Sequence, residues 1–163
     1  MRIQSATSLR ALAGFTIAVA AAAGIGGAAT QSSLDTWYAR LRKPKLNPPK
    51  WVFGPVWTTL YAFMAIAAWL DWRAGRNRHQ GRRALRLFGI QLFFNTLWSI
   101  LFFGRRAPGL ALLDIAALWT SIVAWLSASL RVNRWTALLI LPYLAWVSFA
   151  SYLNWGIWRL NRE

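Results

Sequence analysis

The sequence predicts an all-α integral membrane protein, one bundle of five transmembrane helices. Three observations carry that prediction. Of the 163 residues, 57% are hydrophobic and only 14% are charged, where ordinary soluble domains carry about a quarter charged. The apolar residues fall into five runs, each close to the roughly 20 residues a helix needs to cross the hydrocarbon core. The charged residues, 19 basic against 4 acidic, cluster in the short segments between those runs. The helices are placed at about residues 9–32, 50–72, 84–104, 107–130 and 134–158 of a single domain spanning 1–163.

The first helix rests on the uncharged run from Ala11 to Leu34. Met1-Arg2, Arg10 and the alanine-rich stretch to Ala23 also resemble a secretory signal peptide. The run continues to Leu34, which is long for one, so a retained helix is expected. Ala20, Gly24 and Ala28 form a stripe of small residues spaced by four, which permits close helix contact; an alanine-rich helix also produces such stripes by chance.

The second helix starts after Asn47-Pro48-Pro49, a sequence that stops an incoming helix and opens the next. Trp51 to Leu70 is uncharged. The third rests on Leu87 to Gly104, also uncharged and preceded by an arginine-rich segment. The fourth begins near Pro108, tolerated in a first turn where its missing N–H has no partner to lose. The fifth covers Trp135 to Trp158. Pro55 and Pro142 fall inside predicted spans, which membrane bundles tolerate.

Helices follow from the solvent, because lipid offers no partner to backbone N–H and C=O groups. Barrel strands would show about ten residues of apolar–polar alternation. Runs such as Ile100-Leu101-Phe102-Phe103 and Leu139-Ile140-Leu141 do not alternate. The five spans and their linkers take up nearly all of the sequence, leaving no room for a soluble domain. An odd number of spans places the two ends on opposite sides.

Several function classes fall away. The net charge of +15 comes in short clusters, not as a continuous basic face with exposed aromatics, so no nucleic-acid partner is expected. There is no cysteine, hence no disulfide, thiol catalyst or Cys-based metal or Fe–S site. One histidine and four carboxylates give no metal site. His79 reads as a solvated residue of the basic second loop. Ordinary acid–base or nucleophilic chemistry has few candidates. Basic residues divide ten to nine between the two sides, which sets no orientation.

Twelve tryptophans are the most distinctive feature. Trp72, Trp135 and Trp158 sit near span ends, where indoles favour the interface. Trp98, Trp119, Trp125 and Trp146 fall deeper, where each ring N–H should find a partner or a ligand. At about 100° per residue, Gln91, Asn95, Trp98 and Phe102 share one face of the third helix. Tyr143, Trp146, Ala150 and Asn154 share one of the fifth, and Trp51, Thr58, Ala62 and Trp69 one of the second. Polar side chains at this depth are costly towards lipid, so all three faces are expected to point inward. Two readings stay open. The faces enclose an aromatic pocket suited to a flat hydrophobic ligand, or their amides simply bridge neighbouring helices. Asp114 is the one ionisable residue well inside a predicted span. It reads as a structural acceptor for a tyrosine, tryptophan or basic residue, with a proton or ligand partner as the alternative.

Three motifs resemble a known family. Trp37-Tyr38, Lys43-Pro44 and Asn47-Pro48-Pro49-Lys50-Trp51-Val52-Phe53-Gly54-Pro55-Val56-Trp57-Thr58-Thr59-Leu60-Tyr61 resemble the first loop and second helix of the TspO/MBR (translocator protein) family. Gln91-Leu92, Asn95, Trp98 and Phe102-Phe103-Gly104 are similar to its third helix, and Pro142-Tyr143-Leu144-Ala145-Trp146 with Phe149-Ala150 and Leu153-Asn154 to its fifth. The resemblance covers about residues 37–159. It implies a five-helix bundle, often a homodimer, with a cavity open towards the first loop and a porphyrin such as protoporphyrin IX as ligand, besides synthetic benzodiazepine-type compounds. No cofactor is required. Carried over by motif, the ligand-binding residues are Trp51, Asn95, Trp98, Trp146, Ala150 and Leu153, with Trp37 and Tyr38 over the mouth.

The expected function is therefore a membrane receptor for porphyrins, with a sensory or regulatory role in tetrapyrrole metabolism. Light-dependent porphyrin degradation, which the resemblance would assign to Trp51 and Trp146 as catalytic residues, is one alternative; porphyrin or lipid transport is another. Arg40, Arg42, Lys43 and Lys45 are expected to meet porphyrin propionates at the mouth. The family's sterol motif in animals has a tyrosine where this chain has Trp155, and no sterol role is expected. Partners are then the ligand, membrane lipid and a second copy.

Overall fold

Pro48 and Pro49 end the first loop, and the helix that follows starts at the next residue. The computed structural model describes the backbone of residues 2–75 and 78–162, with side chains from residue 6 onward. It contains α1 (Arg2–Leu34), a short α2 (Trp37–Arg40), α3 (Lys50–Gly75), α4 (His79–Ser99), α5 (Pro108–Leu130) and α6 (Arg134–Leu160). All but α2 are long and apolar enough to cross a membrane. The chain is an integral membrane protein, as its composition predicts. Arg76, counted among the second-loop cations, and the side chain of Arg2 lie outside the described residues.

The ends of the helices differ from expectation for a common reason. α4 starts at His79, not near 84, so His79 opens a helix instead of sitting in a loop. The arginines that suggested a loop are good helix formers, and charge is no obstacle once a helix emerges from the hydrocarbon. α3 likewise runs on to Gly75. Asp71, one residue past the uncharged run that ends at Leu70, lies in α3 fully buried, where it accepts from Trp125 Nε1 at 3.1 Å and Ser129 Oγ at 2.7 Å on α5. Asp114 is thus not the only carboxyl within a span. Nor is it the structural acceptor it was expected to be: it is buried, and neither carboxylate oxygen has a hydrogen-bond partner among the described residues.

α4 widens at its end into a π-helical turn, Ile100–Gly104, closed by Arg105 N–H on the Ile100 carbonyl at 2.7 Å. The extra residue in that turn shifts the register of Phe102 and Phe103. Arg106, at φ 54°, ends it, and Pro108 then opens α5 as its first residue. Pro55 and Pro142 lie inside continuous helices.

Around the bundle the spans follow the order α1, α3, α6, α5, α4 and back to α1, with α3 and α4 also in contact. The core holds Leu60, Met64, Phe88, Leu118, Ile122, Trp125, Ile140, Tyr143 and Val147. α1 joins through Val19, Ala22 and Gly26. A Cβ on Gly26 would sit 3.0 Å from Ser99 Oγ, so glycine sets the closeness of α1 and α4. The stripe Ala20, Gly24 and Ala28 lies on the outer face of α1. The close contact within the bundle is made by Ala22 and Gly26, two positions on and so nearly on the opposite face.

Candidate functional site

The helix ends nearest the first loop do not close on one another. Between the C-terminal half of α1 and the N-terminal half of α3 lies a cavity of about 440 Å³, backed by α4. One wall is α1, smooth along Ala23, Gly26, Gly27 and Thr30, with the larger Gln31 and Leu34 beyond them at its C-terminal end. The facing wall is aromatic: Trp51, Phe53, Trp57 and Tyr61 of α3. Trp98, Ser99 and Phe103 form the back, and Tyr38 and Lys50 stand at the mouth.

A second, much smaller hollow of about 30 Å³ lies on the far side of Phe53, Trp57 and Trp98, against α6. Trp146, Ala150 and Leu153 line it. The predicted site residues therefore divide. Trp51, Trp98 and Tyr38 border the large cavity; Trp146, Ala150 and Leu153 border the small one, with Trp98 and Tyr38 shared. Trp37 borders neither. It packs edge-on against Phe102 at 5.7 Å, behind the mouth.

Asn95 also stands outside both hollows, fully buried. Its Oδ1 accepts from Tyr61 Oη at 2.8 Å, its Nδ2 donates to Tyr143 Oη at 3.1 Å, and Tyr143 donates on to Gln91 Oε1 at 2.9 Å. Three helices are thereby joined, the bridging role weighed as one of two readings for these amides. Trp98 Nε1 donates to Asn154 Oδ1 at 3.0 Å, and Asn154 Nδ2 to the Pro108 carbonyl at 2.9 Å. Trp119 and Trp125 find Ser148 and Asp71. Of the four deep indoles, Trp146 alone has its N–H buried without a partner among the described residues.

The inward faces of α4 and α6 are those expected. That of α3 is not. Trp51 is 75% exposed at the mouth, Thr58 faces the open cavity, Ala62 is exposed, and Trp69 Nε1 donates to Ser8 on α1 at 3.0 Å. Beyond Trp51, the aromatic wall is Phe53, Trp57 and Tyr61, a stripe spaced by four. Periodicity held both stripes. The second would have been preferred by asking which carries rings at every step. The contribution of α1 was missed altogether; its only signal is the Gly26-Gly27 pair in an alanine-rich helix.

The first loop is fastened over this end. Arg42 N–H donates to Asn161 Oδ1 at 3.0 Å, and Asn161 Nδ2 returns to the Arg42 carbonyl at 2.9 Å. Pro44 rests on Gly156, where a Cβ would come within 3.0 Å of the ring. Tyr38, buried against Phe102 and Phe103, donates to Asn47 Oδ1 at 2.9 Å. Burial pushes its phenol pKa up. Lys43 sits 4.8 Å from the Tyr38 ring centre and donates to the carbonyls of Ala39 and Leu41. Desolvation, with the nearby Lys50 charge, lowers its pKa. Of the basic residues in this region, Lys50 lines the cavity, and Arg40, Arg42, Lys43 and Lys45 do not. The cation at the mouth is thus Lys50, in place of the four residues expected there, and it pairs with exposed Asp35 at 2.6 Å.

The geometry is a slot: small residues on one side, four rings on the other, one cation at the entrance. Against known sequences, the TspO/MBR family matches residues 15–159. The chain is 42% identical over 146 residues to the "Tryptophan-rich protein TspO" of Chlorobaculum tepidum, covering 89% of this chain and 92% of that one. It is 39% identical over 142 residues to the "Tryptophan-rich sensory protein" of Cereibacter sphaeroides, covering 85% and 87%. To the human "Translocator protein" it is 38% identical over 149 residues, covering 91% and 88%.

Proposed function

Because the chain belongs to the TspO/MBR family, we propose that it is a membrane receptor for a porphyrin, held in the slot between α1 and α3, with a sensory or regulatory role in tetrapyrrole metabolism. One observation carries this reading: a cavity of about 440 Å³ whose opposite walls are small residues and aromatic rings. Its size falls within the range of small-molecule sites, about 300–1,000 Å³. A flat macrocycle can slide along Gly26 and Gly27 while stacking towards Trp57 and Tyr61, gaining apolar burial and ring contact together. Lys50 supplies a charge partner for a propionate at the entrance.

The test is a titration of the protein's tryptophan fluorescence with protoporphyrin IX in neutral detergent. Saturable quenching at one site is expected. Trp51→Phe combined with Trp146→Phe, one ring from each hollow, is expected to weaken it. Affinity unchanged in that variant would place the ligand elsewhere.

A further inference from the structure

At the end of the bundle away from the first loop, a second cleft opens between the first turn of α4 and the last turn of α5. It measures about 420 Å³ and is lined by His79, Gln80 and Arg83 from α4, by Ala124, Ser127 and Ala128 from α5, and by Arg131, which caps α5. Its chemistry is the reverse of the aromatic slot. Two guanidinium groups face it, no carboxylate lines it, and neither arginine side chain is engaged by any described residue. The first turn of α4 has no side-chain cap, so its free N–H groups add positive potential at the same place. The alanines on the α5 side leave room for a headgroup.

The level of the cleft in the membrane says what fills it. The span from His79 to Gly104 has 26 residues and is therefore about 39 Å long, exceeding a hydrocarbon core of about 30 Å. Its arginine-rich first turns then lie in the headgroup layer. Below Arg83 the same α4 face continues as half-buried Leu87 and exposed Ile90, at the spacing of one helix face. Cationic above and apolar below is the profile of a lipid with a negative headgroup.

We propose that this cleft is a binding site for the phosphate headgroup of an anionic membrane phospholipid, with Arg83 and Arg131 as its charge partners. The site is separate from the ligand slot and does not depend on what the slot holds.

The experiment uses the full chain in neutral detergent, mixed with phosphatidylcholine and phosphatidylglycerol, with bound lipid counted by native mass spectrometry. One phosphatidylglycerol is expected to be retained in preference to phosphatidylcholine. Arg83→Gln with Arg131→Gln should weaken that binding roughly thirtyfold, since each basic side chain near an anionic lipid contributes about a factor of five. Arg83→Lys with Arg131→Lys should weaken it less. Arg105→Gln with Arg106→Gln, at the opposite end, should leave it unchanged. Wild-type protein showing no preference between the two lipids overturns the proposal. So does undiminished phosphatidylglycerol binding in the glutamine variant, or displacement of the lipid by equimolar glycerol 3-phosphate, which would make this a site for soluble anions.

Discussion

Tyr61 joins the wall of the ligand slot to the centre of the bundle, its phenol donating to Asn95 Oδ1 across 2.8 Å. Asn95 passes the connection to Tyr143, and Tyr143 to Gln91. The slot's aromatic wall is thereby held by a polar chain that, beyond Tyr61, lies outside the cavity. Tyr61→Phe keeps the ring and orphans Asn95 Oδ1. A loss of about 1 kcal/mol in stability is expected, with porphyrin affinity nearly unchanged. Asn95→Leu strips the Tyr61 hydroxyl of its acceptor and Tyr143 of the amide that donates to it, leaving Tyr143 only its bond to Gln91, and should cost more. Thermal melting in detergent, set beside the titration, separates the two effects. A loss of affinity in Asn95→Leu beyond its loss of folded protein would make Asn95 a direct ligand contact instead.

Lys50 and Asp35 form an exposed pair, with half of the lysine side chain and 86% of the aspartate accessible. Such pairs contribute under about 1 kcal/mol, so an incoming carboxylate can replace Asp35. Lys50→Gln is expected to weaken protoporphyrin IX binding about fivefold while leaving its dimethyl ester unaffected. Asp35→Asn, which frees the ammonium group, should strengthen binding of the diacid. Equal losses for diacid and ester would remove Lys50 from the role.

The loop over the slot should respond to alkali. Burial raises the Tyr38 pKa in the folded protein, so the neutral phenol is the form the fold prefers. Its contribution is complete below the unfolded value of about 10 and is lost as pH rises from there towards the raised folded value. Lys43 has the opposite sign: its folded pKa is lowered, so stability increases as pH climbs from that value to the unfolded one. Lys43 is largely solvated and Tyr38 is buried, so the tyrosine dominates. Phenolate absorbance followed against pH in wild type and in Tyr38→Phe should differ by one ionisation that comes later than that of a free tyrosine and coincides with loss of ligand.

How far the sequence reveals this site depends on what each residue packs against. Spans were legible because the hydrocarbon core imposes length and apolarity on each helix separately. The faces of α4 and α6 were legible because Gln91, Asn95 and Asn154 cannot face lipid without penalty. α3 was read only in part, because Trp51 and Trp69 lie near the two ends of the span, where an indole finds partners at the cavity mouth or on α1 without pointing into the centre of the bundle. The face carrying Phe53, Trp57 and Tyr61 holds no buried amide to betray it. The smooth wall of α1 left almost no trace, since an alanine-rich helix looks alike on every side. Asp71 escaped because its value to the fold depends on Trp125 and Ser129, more than fifty positions away.

The two tryptophans named for light-driven chemistry lie on different hollows: Trp51 on the large one and Trp146 on the small one. A porphyrin in the slot meets Trp51 directly and reaches Trp146 only past Phe53 and Trp57, whose rings pack against Trp146 at 6.0 and 6.5 Å. Any spectral product formed on illumination is therefore expected to vanish in Trp51→Phe and to persist in Trp146→Phe. Equal loss in both variants would require the two hollows to merge when ligand binds.

Two adjacent glycines on α1 give the sharpest test of the slot. A Cβ at Gly26 would stand 3.0 Å from Ser99 Oγ and 3.2 Å from its Cβ, whereas one at Gly27 meets nothing within 4 Å. Both residues line the cavity. Gly26→Leu must push α1 away from α4 and should lower the melting temperature. Gly27→Leu replaces a poor helix former with a good one, worth up to about 1 kcal/mol in a helix, and its side chain projects into open space. That variant is expected to melt no lower than wild type and to lose most of its porphyrin binding, because the added isobutyl group occupies the gap between α1 and the aromatic wall. Stability and binding then move in opposite directions, which general damage to the fold cannot produce. Full affinity in a folded Gly27→Leu protein would mean that the ligand does not enter between α1 and α3.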